Sequence, residues 1–287
     1  MMGFFISGGV MLALGVTLGG VLAIANKKLH VYEDPRIDAV EQMLPGANCG
    51  ACGEAGCRAF AEAVVAGRVT PGGCSANPPD MVELIARFLG VEAGRREKRV
   101  ARLACAGGDN VARRFAVYEG LESCRAAMLV SGGGKVCTYG CLGYGDCARV
   151  CPFDAITMSS NRLPVVDPEK CTACGNCVVE CPKNLFSIHP VKHRLWVACN
   201  NKLRGKSAKD ACAVACIGCG LCAKDAPEVV SMHDNLPVVD YSKNDLAAEA
   251  AIQRCPTGAI VGLADNGGVI YGEKAEAPQN KEPLPIG

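Results

Sequence analysis

Eight of the twenty cysteines in this chain fall in two runs, each closed by Cys-Pro, and no other feature restricts the fold so strongly. The second run reads Cys171-x2-Cys174-x2-Cys177-x3-Cys181-Pro182, the spacing of a bacterial-type ferredoxin. The first is a stretched version, Cys137-x3-Cys141-x5-Cys147-x3-Cys151-Pro152. A cubane needs four thiolates around it, and a short loop delivers three. The cysteine before the proline then reaches the neighbouring cube. The spacing predicts two [4Fe–4S] sites: Cys137, Cys141, Cys147 and Cys181 at one, Cys171, Cys174, Cys177 and Cys151 at the other.

Zinc explains this pattern poorly, because zinc modules mix in histidine or use two separated Cys-x2-Cys pairs, and the chain has only four histidines. A disulfide framework fits no better, since disulfide-dense domains are short and secreted. The net charge of +1 offers no field for nucleic acid, and 5% aromatic residues offer no stacking platform for bases. No nucleic-acid partner is expected. Nucleophile elbow, P-loop and dinucleotide fingerprints are absent. Gly132-Gly133-Gly134 is a loop, and His30, His189, His193 and His233 lack metal-ligand spacing and read as solvated or packed. No catalytic residue is assigned, and electrons would pass to another polypeptide.

Phe4 to Ala25 is an uncharged run of roughly 33 Å as a helix, enough to cross a bilayer core of about 30 Å. Lys27 and Lys28 follow and no basic residue precedes it, so the positive-inside rule puts every cysteine on the cytoplasmic side. The expected location is the inner (cytoplasmic) membrane, single-pass, with residues 4–25 in lipid. Ala23-x-Ala25 resembles a signal-peptidase site, but the basic n-region is missing and the apolar stretch is overlong. Gly15-x3-Gly19 is a small-xxx-small pattern suited to packing on other membrane helices.

Beyond the anchor, LPGANCGACGEAGC carries Cys49, Cys52 and Cys57, and Cys74 follows sixteen residues after the last. Three cysteines in a glycine-rich loop plus a distant fourth repeat the cubane logic. A helix over 58–66 would return Cys74 to the loop. A second helix is expected from Pro79 to about Gly90, a strand over 98–104 and a helix over 111–118. Short strands are expected at Val165-Val166, at Val238-Val239 and over 153–158.

The chain also repeats itself. Leu163-Pro-Val-Val-Asp167 recurs as Leu236-Pro-Val-Val-Asp240, and Asn244, Ala247 and Ala250 stand where Cys171, Cys174 and Cys177 stand in the first copy. Upstream, Cys216-x2-Cys219-x2-Cys222 runs into Ala226-Pro227 instead of Cys-Pro, while Cys255-Pro256 survives. By the crossing rule Ala226 would have served the lost cluster and Cys255 serves the remaining one. This module is therefore expected to keep one cluster, on Cys216, Cys219, Cys222 and Cys255. Four cysteines are left over, Cys105, Cys124, Cys199 and Cys212, and a fifth cluster on these is a further expectation.

The expected fold class is α+β: one N-terminal transmembrane helix, a small helical 4Fe-4S domain, then ferredoxin-like cluster modules. The expected divisions are an anchor (1–26), an N-terminal cluster domain (27–90), a linker with possible ligands (91–134), a two-cluster module (135–190), a one-cluster module (191–262) and a flexible tail (263–287).

A glycine-rich uncleaved helix, the LPGANCGACGEAGC motif with its later cysteine, and the KVCTYGCLGYGDCARVCPFDAI stretch together resemble the B subunit of the Rnf complex. That family's complex is an ion-translocating ferredoxin:NAD oxidoreductase. The resemblance spans about residues 1–260 and implies a soluble ferredoxin as electron donor and other membrane subunits of an Rnf-type complex as acceptors. The alternative reading is a membrane-anchored polyferredoxin wiring a hydrogenase or other dehydrogenase complex.

Overall fold

The computed structural model describes residues 2–29, 33–95, 97–243, 248–264 and 268–276. Helix α1 (Met2–Leu29) contains the uncharged run. Its segment Gly8–Leu29 has a mean hydropathy of 2.0 and no part of it is buried in the protein. A row of Leu, Val and Ile side chains left open to water would be costly, and a bilayer removes that cost. His30, Asn244 and Ala247 lie outside the described residues.

Three helices form the next unit: α2 (Pro35–Gln42), α3 (Cys57–Val65) and α4 (Pro79–Leu89). The Asp34 carboxylate accepts from Arg36 N at 2.9 Å and Pro35 opens α2, an N-cap suited to the missing proline N–H. These helices bury Val40, Leu44, Phe60, Val64 and Ile85, with Cys74 in the same core. Arg58 on α3 pairs with Asp38 and Glu41 on α2, which fixes the two helices against each other.

The remainder is built of short strands and single-turn helices. Strand β1 (Arg99–Leu103) is followed by α5 (Cys124–Leu129), α6 (Asp146–Arg149), β2 (Ile156–Met158), β3 (Pro164–Val166), α7 (Asn176–Glu180) and β4 (Phe186–Pro190). Then come β5 (Leu195–Val197), α8 (Gly205–Ala211), α9 (Leu221–Asp225), β6 (Val230–His233), β7 (Leu236–Val239), α10 (Ala248–Gln253), β8 (Ile260–Leu263) and β9 (Val269–Ile270). The sequence repeat is a structural one. Hairpin β2–β3 pairs Ile156 with Val166, and hairpin β6–β7 pairs Val230 with Val239. Asp167 N and Asp240 N close the two copies alike, donating to Ala155 O and Val229 O at 2.7 Å. Strand β1 pairs antiparallel with β4, so the segment read as a linker belongs to the two-cluster module.

Two expectations are corrected. Residues 111–118 form no helix, because their backbone groups are taken by distant chain: Ala112 bridges Cys212 and Arg114 bridges Lys135. The stretch after residue 262 is not all tail, since β9 pairs with β8 in the sheet β5-β8-β9. Ala226, which stands where the upstream run would have its fourth cysteine, lies in the core of this module, while Ala250 is exposed. Ala226, Ala251 and Ile252 pack with Leu195, Val229 and Val230, all nearly inaccessible to solvent. These apolar contacts contribute to the module's cohesion.

A polar and aromatic junction joins the two halves. The Arg102 guanidinium, on buried β1, donates to His193 O at 2.8 Å and Val191 O at 3.1 Å, and Trp196 Nε1 donates to Leu103 O at 3.0 Å. His193 stacks on Tyr241 at 4.3 Å, and His189 meets the Trp196 ring at 4.9 Å. Burial, then the nearby Arg102 charge, pushes His189 from 6.5 down to about 4. The unfolded chain takes up that proton first, so this contribution is present above pH 6.5 and is lost as pH falls through about 4. Melting temperatures should therefore drop between pH 7 and pH 5, with a shallower drop in His189→Phe. An unchanged slope in that variant would show that the junction does not depend on a neutral histidine.

Candidate iron–sulfur sites

Five sets of four cysteines come together. In set 1, Cys74 is buried among the helices beside Cys52 and Cys57, and the charges of Cys52 and Cys49 reach it. Set 2 (Cys151, Cys171, Cys174, Cys177), set 3 (Cys124, Cys141, Cys147, Cys181), set 4 (Cys105, Cys137, Cys199, Cys212) and set 5 (Cys216, Cys219, Cys222, Cys255) each line one cavity. All twenty thiols are free of disulfides.

Sets 2 and 5 group as the spacing predicts. Sets 3 and 4 do not: Cys137 leaves the expected company of Cys141, Cys147 and Cys181, and Cys124 takes its place. Three runs share one backbone pattern that explains the exchange. Residues before and after the middle position have left-handed φ in all of them: Ala173 and Gly175 (59° and 86°), Gly218 and Gly220 (64° and 73°), Gly143 and Gly145 (82° and 75°). The middle residues are Cys174, Cys219 and Tyr144. The first run is thus regular, Cys141-x2-Tyr144-x2-Cys147-x3-Cys151, with a tyrosine where a thiol is missing. That spacing was the available signal, and the run of cysteines beginning at Cys137 concealed it.

Asp146 supplies the replacement. Its buried carboxylate accepts from Cys124 N at 2.8 Å, Ser123 Oγ at 3.0 Å and Arg125 N at 3.3 Å, capping α5 and holding Cys124 beside Cys147. The Tyr144 ring is held instead by Tyr118 at 5.4 Å, with the Arg162 guanidinium over its face at 4.4 Å. Cys137 is drawn the other way. Val136 N donates to Arg113 O at 2.9 Å, and the bridge from Ala112 to Cys212 brings that segment to set 4.

The arrangement of the thiols favours a multi-iron centre over zinc. Zinc draws four sulfurs in to about 2.3 Å from one point. Among the described residues no group of three or more His, Cys, Asp or Glu is arranged to hold a single ion. Burial pushes Cys147, Cys177, Cys212 and Cys222 up to about 12 and Cys216 up to about 11. Thiols so placed ionise only when a bound metal centre supplies the countercharge. Lys135 is buried too, and its Nζ donates to Gly107 O at 2.5 Å and Cys141 O at 2.7 Å. Among the described residues no carboxylate lines the set 4 cavity beside it. A buried ammonium needs an anion, and an anionic thiolate-ligated core in sets 3 and 4 meets that need. Backbone donors aim at the sulfurs as well, Ala101 N to Cys171 Sγ at 3.4 Å and Leu185 N to Cys181 Sγ at 3.5 Å. The residues present fit [4Fe–4S] clusters.

The sets also follow one another in single file. Set 1 meets set 2 where Ser75 Oγ donates to Thr172 O at 2.6 Å. Sets 2 and 3 share one core, which holds Cys177 and Cys147 together. Set 3 meets set 4 where Cys141 N donates to Cys105 Sγ at 3.4 Å, and set 4 meets set 5 where Cys216 N donates to Cys199 Sγ at 3.3 Å.

Three family models match: a putative Fe-S cluster over residues 44–76, a 4Fe-4S dicluster domain over 136–185, and the 4Fe-4S single cluster domain of Ferredoxin I over 213–261. The chain is 42% identical over 260 residues to the B subunit of the Na(+)-translocating ferredoxin:NAD(+) oxidoreductase complex of Acetobacterium woodii, covering 90% of this chain and 78% of that protein. It is 42% identical over 274 residues to the proton-translocating counterpart of Clostridium ljungdahlii (94% and 96% covered). To the B subunit of the ion-translocating oxidoreductase complex of Methanosarcina acetivorans it is 36% identical over 252 residues (88% and 95% covered).

The chain belongs to the family of Rnf B subunits. It is an iron–sulfur electron-transfer component of an ion-translocating oxidoreductase, it carries [4Fe–4S] clusters, and with α1 it is membrane-associated. The single-cluster match over 213–261 covers the set 5 cysteines Cys216, Cys219, Cys222 and Cys255. The dicluster match begins at residue 136, so Cys124, which completes set 3, lies outside the part of this Rnf chain that the dicluster family covers.

Cys124→Ala and Cys137→Ala should each cost about four iron atoms per chain, and the double variant about eight, by anaerobic iron analysis. A loss of only four in the double variant would mean that both cysteines serve one site. Asp146→Ala should reproduce the Cys124→Ala loss, because Cys124 then has no anchor beside Cys147.

Proposed function

We propose that this chain carries electrons between a reduced soluble ferredoxin and the membrane partners of an Rnf-type complex, with all twenty cysteines ligating five [4Fe–4S] clusters. The observation that carries this reading is the single-file order of the five sets, which runs from the module next to α1 to an exposed far end. A [4Fe–4S] cluster supplies a one-electron redox centre whose potential is set by net charge, hydrogen bonds to sulfur and solvent exposure. The protein's part is to hold four thiolates at each set, keep water away from the inner sets and present the two ends to partners. Residues 4–25 anchor the chain in lipid as a single span, with Lys27 and Lys28 and all the cysteines on the cytoplasmic side. The units are the anchor, the helical module with set 1, the central module with sets 2 and 3, and the carboxy-terminal module with set 5. Set 4 is stitched between the last two.

The far end suits a soluble donor. Cys219 in set 5 is the one exposed cysteine of the twenty. Between residues 200 and 224 lie Lys202, Arg204, Lys206, Lys209 and Lys224 with one acid, Asp210; Lys202 pairs with Asp234 and Lys209 with Glu276. Gly205 N donates to Ile217 O at 2.8 Å, which lays this basic segment along the loop between Cys216 and Cys219. Ferredoxins that are acidic would be steered to such a surface, and that contribution weakens with salt.

Full-length protein purified anaerobically in detergent should contain about twenty iron atoms and as many sulfides per chain. About sixteen would leave one set empty and break the file. Reversing Arg204 and Lys206 to Glu should slow reduction by ferredoxin about tenfold at low salt while leaving reduction by dithionite unchanged. An unaffected ferredoxin rate would place the donor elsewhere.

A further inference from the structure

The buried ammonium between sets 3 and 4 has a use beyond structure. Lys135 is 4% exposed. Its two carbonyl partners come from the two sets: Cys141 O belongs to a set 3 residue, and Gly107 O lies two residues after Cys105 of set 4. Gly107 is itself pressed against that set, since a Cβ built there would lie 3.0 Å from Cys212 Sγ. Lys135 also lines the set 4 cavity directly, together with all four of its thiols. Two carbonyl dipoles do not neutralise a full positive charge. Lys135 thus sits at the set 4 cavity and, through the Cys141 carbonyl, against the backbone of a set 3 residue, in surroundings that screen its charge poorly.

We propose that Lys135 is a potential-setting residue: its fixed positive charge makes the clusters held at sets 3 and 4 easier to reduce than the same thiolate cages would be without it. This rests on the reading that clusters occupy those sets. Adding one electron to a cluster adds one negative charge, and a nearby buried cation favours the reduced form. Sets 1, 2 and 5 do not have Lys135 among the side chains described at their cavities or cores. Its effect is therefore confined to the middle of the file. Easing reduction there keeps the two inner sets from becoming a barrier between the ends.

The test is an EPR-monitored redox titration of the full-length loaded protein and of Lys135→Met, which keeps the length of the side chain and removes its charge. Iron content should be unchanged. Two midpoint potentials should move negative, each by about tenfold in the reduction equilibrium, which is about 59 mV for one electron. The other three should stay in place, and Lys192→Met, which removes an exposed lysine paired with Glu97, should move none. Lys135→Arg should hold the potentials near those of the parent. Should Lys135→Met load poorly, Lys135→Gln keeps a donor for the carbonyls without the charge and is titrated instead. Full iron with unmoved potentials, or an equal shift at all five centres, overturns the proposal. A parent protein with well under twenty irons would instead count against the occupancy of the five sets, and so against the functional reading rather than against the role of Lys135.

Discussion

Buried thiols that ionise only with a bound metal centre as countercharge are the constraint on which the chain beyond α1 depends. Nineteen of the twenty cysteines are buried or half-buried, yet the elements around them are tiny. Several of the helices last only four or five residues and several strands only three. Isolated turns and ribbons of that size do not hold together on their own propensity. On the proposed reading, four metal–thiolate bonds per cage, drawn from loops far apart in sequence, supplement the small apolar clusters of this chain.

The same constraint explains how the protein tolerates change within a repeated unit. Where all four thiols of one site are missing, Ala226 packs in the core with Ala251, Ile252 and Leu195, while Ala250 is exposed. Where a single thiol was lost, at Tyr144, the cage was kept and completed from outside. One carboxylate, Asp146, collects two backbone N–H groups and a hydroxyl from residues 123–125 and delivers Cys124. A buried acid beside a thiolate cage is unfavourable unless its charge is matched. Here three donors and the Arg149 ion pair match it.

Much of the architecture is legible in the sequence. Pro79 and Gly90 mark α4, the repeated Leu-Pro-Val-Val-Asp marks the second strand of two hairpins, and the uncharged run from Phe4 marks α1. Residues 111–118 have apolar spacing that suits a helix, yet Arg113 N donates to Ala211 O and Phe115 N to Gly134 O, distant partners that no local pattern reveals. The exchange of Cys124 and Cys137 is hidden for a related reason. Counting cysteines favours those that are present, whereas the left-handed residues around Tyr144 report the one that is missing.

By itself, the sequence determined the chemistry: thiolate spacing closed by Cys-Pro demands iron–sulfur cages, and the charge-free run demands a bilayer. It could do so because those requirements are local, set by loop reach and helix length. Which four cysteines share a cage, the order of the five sets, and the placing of Lys135 between two of them were decided only by tertiary structure. Each depends on contacts between segments far apart along the chain, such as Cys141 with Cys105 and Cys216 with Cys199, and spacing along the chain carries no information about such meetings.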